Sequence, residues 1–429
     1  MSREQARVRM YNVGFGDCFL LSWPGPDRTV KVLIDCGSHG HGAGPHKIEK
    51  IVERIVEDVR ESDGTPRIDV VVGTHRHQDH VSGFDSPLWD EVEVTEVWMP
   101  WTEHPTDPEA RRIRETQSRA ARRLHAEASV ASPVSVGRVV SAEESAKEEK
   151  LRDSLLALSA NSLTNAQAME TLHHGFKGRP KRRFLPTGTL RRKSFETACL
   201  PGALVHVLGP SRDPDVIRDM NPPAGQSYLR MTEERESHGD GPWLPFRSSW
   251  KVTREEMERD HGHLMPSRDT DLRTIHNYGE LDNDIRLDLA VQLEKGVNGT
   301  SLVLVFEVGR TCLLFPGDAQ WGTWRVALED PEWRNLLART SFCKVGHHGS
   351  HNATPKDLLE KVLGEGFAAM VSTRPIANWP DIPRIPLLDR LAEKTGSRVV
   401  RSDSPPSEMP AGFRPRDETD LFFDLEIPL

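Results

Sequence analysis

The segment Thr74-His75-Arg76-His77-Gln78-Asp79-His80 stands directly after Gly73, which ends a valine-rich run at 68–72. Such a run suits a strand covered on both faces. The residues after it therefore fall at a strand-to-helix turn beside a buried core. Three imidazoles and a carboxylate within six residues form a dense set of ligands for a divalent cation. A loop that turns back on itself brings His75 and His77 to one ion. Asp79 and His80 then face a second ion a few ångströms away.

The surrounding pattern is that of an α/β chain. Short β-rich segments at 8–13, 18–23, 29–34 and 92–99 are broken by glycine, proline or aspartate. Between them, Ile48, Ile51, Val52, Ile55 and Val59 recur at helical spacing, which predicts a helix over 47–60. From 101 to 180 the chain turns polar and charged, with a helix expected at 109–126. The stretch 176–193 reads as a basic loop, with eight Lys and Arg residues and with Phe176 and Phe184 interleaved. Strand character returns at 203–208 and again at 287–293, 301–307, 311–315, 342–345 and 368–372. Helices are expected at 324–338 and 355–363. The chain thus divides into 1–100, a first half of the fold; 101–180, a partly helical insertion with a basic end; 181–212, a return to the core sheet; 213–285, a second insertion; and 286–429, the second half with a C-terminal tail.

A net charge of −9 argues against coating nucleic acid by bulk charge, though a local basic patch remains available. The chain has no apolar run of about 18 residues and no apolar leader near its start, so neither a membrane span nor a secretory signal is expected. Its five cysteines are scattered and odd in number, which fits reduced thiols in the cytoplasm. In that compartment the Asn298-Gly299-Thr300 sequon carries no glycan.

The histidine segment resembles the signature of the metallo-β-lactamase superfamily, and more of the chain agrees in order. Tyr11-Asn12-Val13-Gly14-Phe15-Gly16-Asp17-Cys18 and Leu33-Ile34-Asp35-Cys36-Gly37 are similar to its opening strands. Asn298-Gly299-Thr300-Ser301-Leu302-Val303-Leu304, Leu314-Phe315-Pro316-Gly317-Asp318-Ala319 and Lys344-Val345-Gly346-His347-His348-Gly349-Ser350 are more specific. Together they resemble the subgroup containing the hydrolase domain of the DNA-uptake competence protein ComEC, and more distantly the phosphorylcholine esterases. The likeness covers roughly 1–100, 200–212 and 287–375, about half the chain.

It implies an αββα sandwich carrying the two insertions. It also implies that Asp35 hydrogen-bonds the histidine loop, that Asp318 is a bridging carboxylate and His348 a ligand. His347 then faces the substrate phosphate as a proton donor, the order of the two histidines being reversible. One ion is held by His75, His77 and His348, the other by Asp79, His80 and Asp318. Zn²⁺ suits the histidines, and Mn²⁺ suits the carboxylate-rich second position. Asp79, through its ion, and His347 carry the catalysis.

The sequence departs from the family after the strand at 368–372. Relatives place a histidine where Ile382 stands, which leaves the second ion weaker, completed by Asp381, or absent at rest. His173-His174, His261, His263, His39, His41 and His46 read as solvated surface histidines.

The expected activity is hydrolysis of a phosphodiester, with nucleic acid, DNA first, as the partner. A regulatory protein partner is also expected. Lys181, Arg182, Arg183, Arg191, Arg192 and Lys193 are the candidate backbone contacts. The alternatives are a small-molecule phosphodiesterase or esterase acting on a phosphocholine ester, cyclic nucleotide or lactone, and a degenerate metal-binding module.

Overall fold

Strand β3 (Thr29–Cys36) sends Val30, Val32 and Ile34 into one apolar cluster and Leu33 and Cys36 into another. Both faces of such a strand need cover. The same holds for β9 (Val303–Val308), where Leu304, Phe306 and Val308 lie on one side and Val303 and Val305 on the other. The computed structural model describes residues 5–129, 152, 155–156, 161, 165–187, 194–228, 296–376, 379, 381–416 and 418–429. Within these residues, two sheets packed face to face meet both demands.

The first sheet comprises β1 (Gln5–Tyr11), β2 (Cys18–Pro24), β3, β4 (Arg67–Val72), β5 (Glu93–Pro100), β6 (Lys181–Leu185) and β14 (Phe422–Pro428), in the order β14-β1-β2-β3-β4-β5-β6. The second comprises β7 (Ser194–Phe195), β8 (Ala203–Gly209), β9, β10 (Thr311–Phe315), β11 (Thr340–Lys344), β12 (Ala368–Val371) and β13 (Val399–Arg401), in the order β13-β12-β11-β10-β9-β8-β7. Pairing is parallel from β3 to β6 and from β10 to β13, and antiparallel in the rest of each sheet.

Helix α1 (Ile48–Asp58) lays Ile51, Val52 and Ile55 on the outer face of the first sheet. Three further helices, Trp321–Glu329, Pro331–Leu337 and Ile385–Thr395, cover the outer face of the second through Trp324, Leu337 and Leu391. The result is a mixed α/β sandwich with helices outside both sheets. No helix among the described residues is long and apolar enough to cross a membrane.

Several expectations shift. The basic loop expected at 176–193 contains β6, paired in parallel with β5. Its charged residues tolerate the sheet edge because Arg183 lies bidentate on Glu96, at 2.6 and 2.8 Å. The helix expected at 324–338 breaks at Asp330, whose carboxylate accepts the Glu332 N–H at 2.8 Å ahead of Pro331. The C-terminal tail is no tail: β14 extends the first sheet beside β1. The strand expected at 287–293 and most of 213–285 lie outside the described residues.

Strand β14 is also held by charge. Arg9, buried in β1, bonds both oxygens of Asp424 at 2.7 Å and Asp58 of α1 at 2.5 Å. Asp424→Ala leaves Arg9 paired with Asp58 but removes its two bonds to Asp424, and is expected to lower the urea unfolding free energy by about 1.5–3 kcal/mol, the usual cost of losing hydrogen bonds to a charged group. An unchanged midpoint would show that this ion pair does not hold the strand.

Candidate metal centre

The chain gathers its buried acids and imidazoles where the strands of both sheets end. Asp35 closes β3 in a left-handed conformation, at φ 56°. Its carboxylate accepts the Thr74 N–H and the Thr74 hydroxyl, each at 2.7 Å, and lies 2.8 Å from His80 Nδ1. The loop after β4 is thereby pinned to the neighbouring strand. His80 and Asp79 sit on the short helix α2 (Gln78–Val81). Gly16 and Gly37 let two other turns approach that helix, since a Cβ on either would overlap the backbone at Asp79 or His80.

Asp318 follows β10 and His348 follows β11. The ligand atoms of Asp79, His80, Asp318 and His348 all lie within 4.8 Å of one another, and all four residues are buried. The imidazoles are oriented from behind. His348 Nδ1 lies 2.9 Å from the Ser372 carbonyl, and His80 Nδ1 faces Asp35. Each outward N–H thus fixes the tautomer and turns Nε2 inward. His348 Nε2 stands 3.1 Å from Asp79 Oδ2, and His80 Nε2 stands 3.2 Å from Asp318 Oδ2.

The donor set fits a divalent cation. Among the described residues, Asp79 Oδ1, Asp17 Oδ1, His77 Nε2 and His80 Nε2 are buried without a hydrogen-bond partner. Buried polar atoms rarely remain so, and a coordinated ion satisfies them.

His75 and His77 lie beside this group, with His75 Nε2 3.1 Å from His77 Nδ1, and the His75 ring is 4.1 Å from that of His80. His348 Nε2 also lies 3.6 Å from Asp318 Oδ2. His347 is more open. Its Nδ1 lies 3.2 Å from Asn352 Oδ1 and its Nε2 3.3 Å from Asn298 Nδ2. Asp381 is not part of the group; its side chain is half exposed, 3.7 Å from Arg384. His39 is buried against Phe15 and Trp379, contrary to the solvated position expected of it. His173 and His174 end a helix, Ala166–His174, rather than lying in a loop. His261 and His263 fall outside the described residues, as do Arg191, Arg192 and Lys193.

Two buried residues of the centre went unnoticed in the sequence. Asp17 pairs with Lys344, whose Nζ also lies 3.4 Å from Asp318 Oδ1 and 3.0 Å from the Gly317 carbonyl. The signals were present. Gly16-Asp17 repeats the dipeptide Gly317-Asp318, and Lys344 is a lone charge inside an apolar strand.

The electrostatics show what balances the acids. Burial opposes charge on His80 and on His348. For both it is outweighed by the neighbouring aspartates, Asp318 foremost, so both titrate above the usual histidine range. Burial likewise opposes charge on Asp79, but His80 and His348 hold its carboxyl below the usual range. Burial pushes His77 down to about 4 and His75 down as well. Protons on His80 and His348 therefore stand where a cation's charge would act.

The chain matches no profile of a known protein family, and no curated protein matches it.

A divalent ion must displace protons from imidazoles whose affinity for them is raised. Zn²⁺ affinity is therefore expected to rise with pH through and above about 6.5, the ordinary histidine value. Calorimetry at pH 7 in buffers of different ionisation heat should show net proton release on binding; none would contradict this arrangement. Asp35→Asn is expected to weaken binding by about 10–100-fold, the usual effect of losing a ligand's orienting partner. An unchanged affinity would show that Asp35 does not position His80.

Proposed function

We propose that this chain is a metal-dependent phosphodiesterase of the metallo-β-lactamase class, and within that class a nuclease acting on DNA. The observation that carries the reading is the buried group Asp79, His80, Asp318 and His348, with its inward-facing nitrogens and unpaired oxygen. The two-sheet sandwich with outer helices, and ligands at the ends of strands from both sheets, support the class. So do the motifs at 74–80, 314–319 and 344–350.

In this reading Asp79, His80, Asp318 and His348 hold the divalent metal, with His75 and His77 as the adjoining ligands. When bound, such ions acidify water for attack and offset charge on the phosphoryl oxygens. Asp35 and the Ser372 carbonyl keep the two inner imidazoles in one tautomer. Lys344 and the His347 N–H occupy Asp318 Oδ1, which leaves Oδ2 to face the centre.

His347 handles the proton at the mouth. With its Nδ1–H donating to Asn352, Nε2 carries the lone pair and accepts from the Asn298 amide. Burial lowers its pKa, so the ring is neutral near pH 7. It must take up a proton before it can deliver one to the leaving oxygen.

Cleavage of labelled linear and circular DNA and RNA with added Mn²⁺ or Zn²⁺ tests the proposal. Wild type is expected to cut DNA, and the Asp79→Ala, His80→Ala double variant to show only background. No cutting by metal-loaded wild type, with turnover of a phosphocholine ester or cyclic nucleotide instead, would contradict the nuclease reading and favour a small-molecule enzyme.

A further inference from the structure

Two arginines of the basic run that pointed to nucleic acid are used by the fold. Arg182 bonds the carbonyls of Leu172, Gly175 and Pro180, at 3.2, 2.7 and 2.8 Å, and Arg183 is spent on Glu96. A different cationic surface lies on a helix tied to the ligand loop. Helix α3 (Pro108–Ser129) carries six arginines against three glutamates, in a chain whose net charge is −9.

Its inner side is apolar, with Ala110, Ala121, Leu124 and Ala128 buried. Arg111, Arg119 and Arg122 are exposed. Positions i, i+8 and i+11 fall within about a quarter turn of one another, so the three form a row along one side. Among the described residues the Arg111 and Arg119 guanidinium groups have neither an ion pair nor a hydrogen bond. Arg122 bonds only the Ser118 carbonyl of its own helix, at 3.1 Å. Glu115 is exposed on the same side and forms no ion pair with them.

The helix is mounted on the ligand loop. Arg76, between His75 and His77, lies bidentate on buried Glu103 at 3.0 and 2.7 Å. Glu103 ends the short turn Trp101–Glu103, and Arg114 of α3 bonds the Thr102 carbonyl in that turn. Asp107 accepts the Glu109 and Ala110 N–H groups, each at 3.0 Å, and also holds Arg212 at 2.8 Å. Elements that position His75 and His77 therefore also fix where the arginine row begins.

We propose that the outer side of α3 is the track that holds the phosphate backbone of the nucleic acid cleaved at the metal centre. This rests on the nuclease reading. Arg111 to Arg122 spans about 16 Å along the helix. That length matches the rise of roughly five phosphates of one strand. An acidic protein needs such a local row, because its bulk charge repels the substrate. Contacts of this kind are independent of base sequence and sensitive to salt.

The test is binding of a short labelled DNA duplex to the full chain as purified, with no metal added, read by fluorescence anisotropy across a salt series. Arg111→Gln, Arg119→Gln and Arg122→Gln are combined in one variant. A second variant removes three exposed charges elsewhere, Arg60→Gln, Arg310→Gln and Lys361→Gln. An unchanged melting temperature in both would show that folding is intact.

Each phosphate contact contributes about 0.9 to the slope of log K against log salt. The α3 variant is expected to lose about 2–3 from that slope, with binding weakened at least about tenfold, while the charge-matched variant keeps the wild-type slope. Equal slopes in wild type and the α3 variant, or equal losses in both variants, would overturn the proposal, as would a wild type that does not bind. Binding is read without turnover, so the two ideas separate. A protein that binds through α3 but never cuts sinks the nuclease reading alone, and one that cuts with an unchanged slope in the α3 variant sinks this surface alone.

Discussion

Asp17, Asp35, Asp79 and Asp318 are all buried at the junction of the two sheets. Taking a carboxylate out of water costs several kcal/mol unless a positive charge and hydrogen bonds replace its hydration. Here the replacements are specific. Lys344 lies between Asp17 and Asp318, His80 between Asp35 and Asp318, and His348 beside Asp79. The arrangement determines much of the local backbone. Glycines at 16 and 37 allow the turns to close around α2, and Asp35 accepts a left-handed conformation to aim its carboxylate. A core of Val, Leu and Phe on both sides of the sheets supplies the stability that such a site consumes.

The same constraint explains why the centre suits a divalent ion. Protons on His80 and His348 balance the acids only while those imidazoles are charged. A metal ion bound there would take over that role and would satisfy Asp79 Oδ1 and His80 Nε2, which have no hydrogen-bond partner among the described residues. His347 is held differently from the neighbouring His348: its ring nitrogens face Asn298 and Asn352, with Asp318 Oδ2 3.8 Å from Nε2.

Much of the architecture was legible in the sequence because two-sided burial leaves a strong mark. Strands β2, β3, β4 and β10 are apolar runs ended by turn residues, and each lies close to its expected place. Strand β6 was hidden because Lys181, Arg182 and Arg183 look like a solvated loop; the pairing of Arg183 with Glu96 and of Arg182 with backbone carbonyls is a tertiary fact. Strand β14 was missed because its partner, β1, lies at the other end of the chain. At the site, closely spaced histidines were easy to see. The grouping of His348 with Asp79 across more than 260 residues, and the insertion of Lys344 between two aspartates, depend on how the sheets stack, which no local pattern encodes.

The central claim is that Asp79, His80, Asp318 and His348 together hold a metal ion. Anomalous diffraction at the zinc edge, from crystals of the zinc-loaded protein, tests it most directly. The account predicts a peak enclosed by these four side chains, with nitrogen and oxygen ligands at about 2.0–2.2 Å. A peak bound elsewhere on the chain, or an ordered apo cluster that stays without density under saturating zinc, would contradict it.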